Sequence, residues 1–327
     1  MNRATLLRFL AQAAVWGTSF SFIKISLEGL APGQIVLVRL ILGALVLTAV
    51  ARLRGVTLRM PPKLWGHQLV AAILANVAPY LLLSYGERDT GAGVAGVLVA
   101  GTPLITLLIA TLALADEKTN WRRSVGFLLG FVGVAVVIAP WHDQLGSTAA
   151  RFACFGAAVC YALGYVYCRR FLSGAGVEPL TLATTQLIAA VVPIALAAPL
   201  LGWRDPSLNI RVVLAVVCLG ALSTGFANIL YFRLIKDVGA TLAAAVDYVV
   251  PFFAVLFGFL LLREAPAWNL LVGGVVVLAG MYLAEGRLPS RLRRTRQVPV
   301  SVPVPALPVV APEEQPVALD CAEAARS

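Results

Sequence analysis

The groups in this chain with most scope for chemistry are a few ionisable and polar side chains set inside long apolar runs. Asp247 stands four residues before Pro251. Proline has no backbone N–H, so in a helix the carbonyl four residues earlier loses its partner. That carbonyl is Asp247's own. A carboxylate and a freed carbonyl on one turn can hold a proton or a substrate amine. The alternative is an acid neutralised by burial or paired with a base such as Arg39. Arg39 lies in the second apolar run, where its fork can take a carboxylate at two points or lock two helices together. Lys24 ends the first run, and its apolar stem lets the ammonium snorkel to an interface. Trp16, Tyr80, Tyr161, Tyr165, Asn228 and Tyr231 add polar-tipped rings and an amide. A small-molecule cavity has a largely apolar lining with a few placed polar groups. Taken singly, each of these residues is better explained by an interhelical hydrogen bond, worth ~0.6 kcal/mol, and as a set some should line the cavity.

Other chemistries lack their residues. There is no G-x-x-x-x-G-K-[S/T] phosphate loop, no H-E-x-x-H and no G-x-S-x-G. His67 and His142, the only histidines, lie near the ends of apolar runs. Cys154, Cys160, Cys168, Cys218 and Cys321 have no metal-ligand spacing. The expectation is no metal, no cofactor and no catalysis.

These residues sit in a sequence that is 60% hydrophobic and 13% charged, against roughly 25% charged in a soluble domain. Mean hydropathy is +0.87. About ~20 apolar residues cross the ~30 Å hydrocarbon layer as a helix, and lipid leaves no other way to satisfy the backbone. Ten such runs are legible: 5–26, 33–52, 64–85, 91–114, 122–140, 152–172, 179–202, 211–235, 240–262 and 267–285. The first is read as a retained span, since no A-x-A-like cleavage pattern follows it. With the N-terminus in the cytoplasm, one side collects Arg3, Arg8, Arg52, Arg54, Arg59, Lys63, Lys118, Arg122, Arg123, Arg169, Arg170, Arg233, Lys236 and the run Arg287 to Arg296. The other side holds only Arg88, Arg151, Arg204, Arg211 and Arg263. That asymmetry puts both termini inside and accounts for the net charge of +10 without nucleic acid as a partner. From Gln297 to Pro316 six prolines recur, which reads as an extended, disordered cytoplasmic tail.

The chain repeats itself. Gly91-Ala92 leads to Pro103 and Glu117, and Gly239-Ala240 leads to Pro251 and Glu264. Gly126 and Gly133, then Gly273 and Gly280, follow at one spacing. More loosely, Pro32 matches Pro179, which sets Arg39 against Gln186 and adds Gln186 to the candidates. Asp247 faces Val99. Five runs per unit force the second copy into the membrane upside down, and such inverted repeats bind substrate at their interface near mid-membrane. The fold class expected is an all-α membrane protein, ten transmembrane helices as two inverted five-helix repeats. Residues 1–145 and 146–286 are the repeats and 287–327 the tail. Pro103 and Pro251 are expected to kink their helices and give gating flexure. Small-residue faces at Gly126, Gly130, Gly273, Gly274 and Gly280 suit close helix packing within one chain, with a homodimer as the alternative. Glu117 and Glu264 are expected to pair with neighbouring bases at the interface.

Trp16-Gly17-Thr18-Ser19-Phe20 followed by Lys24, Pro32 and Arg39 resembles the start of an EamA-type domain. The two Pro…Glu runs with glycine-spaced runs behind them resemble its later part. By these motifs the chain is similar to the drug/metabolite transporter superfamily, with two such domains over residues 5–285. The resemblance implies ten helices round a central cavity in the cell membrane, alternating access, and export of small metabolites such as amino acids or drug-like compounds. Asp247 departs from it, since an apolar or small residue is usual there. Proton coupling and facilitated diffusion both stay open. Competing readings are a membrane-embedded enzyme, a flippase of a lipid-linked intermediate and a channel. The partners expected are a small-molecule substrate and membrane lipid.

Overall fold

The computed structural model describes residues 3–113, 121–138, 147–239, 243–265 and 267–284. Glu117 and the proline-rich tail lie outside them. The described residues are helical, with no strand among them. The helices are α1 (Arg3–Ser26), α2 (Pro32–Leu53), α3 (Pro62–Asp89), α4 (Ala92–Leu112), α5 (Trp121–Ile138), α6 (Thr148–Phe171), α7 (Pro179–Leu201), α8 (Ile210–Val238), α9 (Val250–Leu262) and α10 (Trp268–Ala284). Seven are long and apolar enough to cross a membrane: α1 to α4 and α6 to α8. Shorter apolar stretches occupy α5, α9 and α10.

Local chemistry sets the starts. Pro32, Pro62 and Pro179 open α2, α3 and α7, where a missing N–H costs nothing and φ is already helical. The Asn209 side chain caps α8, accepting from the Val212 N–H at 2.9 Å. Leu7, Leu45, Val192, Leu200 and Val275 stand on the outside. An apolar surface that extensive needs lipid against it rather than water.

Irregular segments interrupt several of the rods. α3 carries a π segment at Ile73–Val77, and α8 carries one at Cys218–Phe226. α4 breaks at Ala100 and Gly101. A 3₁₀ segment, Ala244–Tyr248, precedes α9. Pro103 and Pro251 each stand second in the helical piece that follows a break. The expected kinks are therefore breaks. Proline is at ease in a first turn, so ending one helix and starting another costs less than bending a continuous one.

α1 packs on α9 and α8, α6 on α4 and α3, α2 on α8 and α7, and α3 on α7. α5 and α10 form their own seam, meeting through the glycines singled out above. A Cβ added at Gly126 would lie 2.4 Å from the Ala284 nitrogen, and one at Gly280 would lie 2.4 Å from the Gly130 nitrogen. Gly133 meets Val277 and Gly273 in the same way. The numbering runs in opposite senses along the seam, so the two helices are antiparallel with backbones touching. The small-residue faces thus serve packing within the chain.

The joint between α3 and α4 corrects two expectations. Lys24 does not snorkel. Its Nζ donates to the main-chain carbonyls of Glu87 at 2.6 Å and Thr90 at 2.8 Å. The last carbonyls of a helix are unpaired and carry its negative end, so an inward ammonium gains more there than at the interface. Among the described residues Glu264 pairs with no base. Its carboxylate accepts from the Ala92 N–H at 3.0 Å and the Gly93 N–H at 3.3 Å, at the positive end of α4. Gly91 makes room, since a Cβ there would lie 2.9 Å from Glu264 Oε2.

Candidate functional site

A cavity of about 250 Å³ opens among α1 to α4 and α6 to α9. α1 supplies Trp16, Ser19 and Phe20. Arg39 comes from α2, Asn76 from the π segment of α3 and Tyr80 from the turn after it. Val99, Thr102 and Pro103 come from the break in α4, Tyr161 and Tyr165 from α6, and Gln186 from α7. Ser223 and Asn228 come from α8, with Asp247 and Val250 from the break ahead of α9. Interrupted helices thus surround it, and irregular backbone at membrane depth is tolerated only around a cavity or inside protein.

Arg39 forms one wall. It is buried, its guanidinium carbon lies 3.6 Å from the centre of the Tyr80 ring, and Nε donates to Thr224 Oγ1 at 2.8 Å. Thr224 belongs to the π segment of α8. Gln186, its counterpart, reaches the other half's interrupted helix and donates to the Ala71 carbonyl at 3.3 Å. Asp247 stands at the 3₁₀ segment, within electrostatic reach of the Tyr165 and Tyr231 hydroxyls. Aromatic rings connect these charges. Tyr80 meets Tyr161 edge-on with centroids 6.3 Å apart, and Tyr161 stacks on Tyr165 at 6.1 Å. The lining therefore offers a cation with a planar fork, a carboxylate, three amides and flat apolar rings. Such a set orients a small molecule that has a charged end and an apolar body.

Of the residues singled out in the sequence, Arg39, Asp247, Trp16, Tyr80, Tyr161, Tyr165, Gln186, Asn228 and Pro103 line the cavity. Tyr231 lies behind the lining, with its ring 5.1 Å from that of Trp16. Pro251 also falls outside, one residue past Val250. Sequence reasoning missed Asn76, Ser19, Thr102 and Ser223. Asn76 had a usable signal: it stands as far before Gly91 as Thr224 stands before Gly239, so a polar residue recurs at one place in both halves.

The EamA-like transporter family matches residues 3–139 and again 148–285. The chain belongs to that family. It is a multi-pass membrane protein, and a transport role comes with the membership. Similar proteins carry transporter names. The uncharacterized transporter YdfC of Bacillus subtilis is 26% identical over 270 residues, covering 82% of this chain and 86% of its own. An uncharacterized transporter of Archaeoglobus fulgidus is 25% identical over 295 residues, covering 88% and 99%. The uncharacterized inner membrane transporter YedA of Escherichia coli is 27% identical over 278 residues, covering 84% and 88%. A solved crystal structure aligns with a TM-score of 0.61 at 22% identity, over 87% of this chain and 98% of that one; this likeness concerns the fold.

Proposed function

We propose that this EamA-like protein is a secondary active transporter that exports small metabolites, such as amino acids or drug-like compounds, by alternating access. Two inverted five-helix repeats carry the central cavity from one membrane face to the other. The observation that carries this reading is the composition of the cavity wall: four helices from each half, with the interrupted ones at matching positions. The packing supports it as well. Exchanging the halves turns the α1–α9 contact into α6–α4, α1–α8 into α6–α3, and α2–α8 into α7–α3. α2–α7 and α5–α10 are exchanged onto themselves, and α5 and α10 are antiparallel as inversion requires. The length of the shorter helices is compatible with ten crossings. α10 has 17 residues, a rise of ~25 Å. The 13 residues of α9 give ~20 Å, and the 3₁₀ segment adds ~10 Å.

Arg39 is proposed to hold an anionic group of the cargo and Asp247 an amine or the coupling proton, with both termini in the cytoplasm. The test is uptake by proteoliposomes, screened over amino acids, sugars and cationic drugs with and without a pH gradient. Accumulation of one compound only with the gradient supports the reading. Correctly folded protein that moves nothing under either condition overturns it.

A further inference from the structure

Glu87 is a buried carboxyl that the cavity does not use. It lies near the C-terminal end of α3, its side chain has no exposed surface, and neither carboxyl oxygen has a hydrogen-bond partner among the described residues. The obvious donor is adjacent and already committed. Lys24 Nζ bonds the carbonyls of Glu87 itself and of Thr90, and lies 3.4 Å from that of Arg88. An ammonium has three N–H donors, so these carbonyls exhaust them.

The charged and titratable groups that bear on the carboxyl come from several elements. They are Lys24 from α1, Arg39 from α2, Glu264 from the segment after α9, and Cys154 and Tyr161 from α6. α6 also carries the buried Arg151 one turn before Cys154, and Arg88 and Asp89 follow Glu87 on α3. α4 contributes no titratable side chain over Ala92–Leu112. Arg39 is engaged with Thr224 and Tyr80, and Glu264 with the first N–H groups of α4. A buried carboxylate without a donor is costly, and the cheapest remedy is to keep it neutral.

We propose that Glu87 is a proton-binding site, loaded in this conformation and discharged when the α3–α4 joint parts from α1. On discharge the O–H bond breaks, its electron pair stays on the carboxylate, and the proton leaves to water on the face where the joint opens. Lys24 then turns from the carbonyls to the bared carboxylate. The site is one-sided. Glu87 stands four residues before Gly91, and the residue four before Gly239 is Ile235. A proton bound there therefore senses one face of the membrane. Its use in coupling rests on the transporter reading; the protonation itself does not.

The test uses the full-length protein in lipid and infrared difference spectroscopy. At neutral pH the wild type is expected to show a deuterium-sensitive protonated-carboxyl C=O band that Glu87→Gln loses and Glu87→Asp shifts. Identical spectra in wild type and both variants overturn the proposal. Hydrogen exchange read by mass spectrometry over residues 86–92 tests the link to opening. After correction for intrinsic rates, protection should fall with rising pH in the wild type and stay constant in Glu87→Gln. The same pH response in both overturns the link. Loss of the band while no cargo is found in the uptake screen upholds the proton site and counts against transport.

Discussion

Arg39→Gln is the sharpest probe of the cavity, because it copies into the first half the residue that the second half already has at Gln186. The change removes the Nε bond to Thr224 and the guanidinium over Tyr80, 3.6 Å from its ring centre. A hydrogen bond from a charged group is worth ~1.5–3 kcal/mol, and a desolvated cation–π contact adds ~2 kcal/mol. Against this, a buried guanidinium carries a desolvation penalty of several kcal/mol, which Gln does not. The two nearly cancel, so the thermal unfolding midpoint should move little. Cargo binding has no such offset. Loss of one charged contact to an anionic group, at ~1.5–3 kcal/mol, weakens affinity by about 10- to 150-fold. The assay is KM for proteoliposome uptake of the compound found in the screen, beside a fluorescence-monitored melt of the same preparation. Arg39→Lys keeps the charge but loses the fork, and should fall between the two. Tyr80→Phe keeps the ring and should leave KM unchanged. Wild-type KM for an anionic or zwitterionic cargo in folded Arg39→Gln would refute Arg39 as the carboxylate contact. A large loss of stability with no change in KM would make it a structural clamp.

Three further outcomes follow from the same geometry. Asp247→Asn should abolish transport or remove its pH dependence while membrane insertion stays intact; transport with wild-type pH dependence would take Asp247 out of the mechanism. Gly280→Val adds atoms where a Cβ already lies 2.4 Å from the Gly130 backbone. Overpacking costs ~1–3 kcal/mol, so the melting midpoint should drop, whereas Gly66→Ala, with nothing within 4 Å, should hold or raise it. Glu264→Ala strips the start of α4 of its acceptors and should lower stability by ~0.5–2 kcal/mol; an unchanged melt would mean that water replaces the carboxylate without loss.

The irregular helices show where sequence reasoning stopped. A π segment inserts an extra residue and turns everything beyond it by ~100°. No wheel drawn through Cys218–Phe226 keeps its phase, so only the structure shows that beyond it Asn228 lines the cavity while Tyr231 packs against Trp16. Pro103 and Pro251 were visible as interruptions, but whether a proline bends a helix or starts a new one depends on what packs against the break. Glu87 was hidden differently. In Gly86-Glu87-Arg88-Asp89 it reads as part of a polar joint, and the two residues that follow it are exposed.

The amino-acid sequence by itself determined that the chain folds as a set of apolar helices, with the family's pattern present twice. In lipid the backbone must bond to itself, so apolar length fixes each rod, and the duplicated glycines and prolines mark equivalent points along the chain. Only the tertiary structure decided which charge meets which partner. Lys24 could reach an interface, a carboxylate or a helix end. Its three N–H groups went to carbonyls because α3 ends against α1, and that choice leaves the buried Glu87 carboxyl without a donor among the described residues.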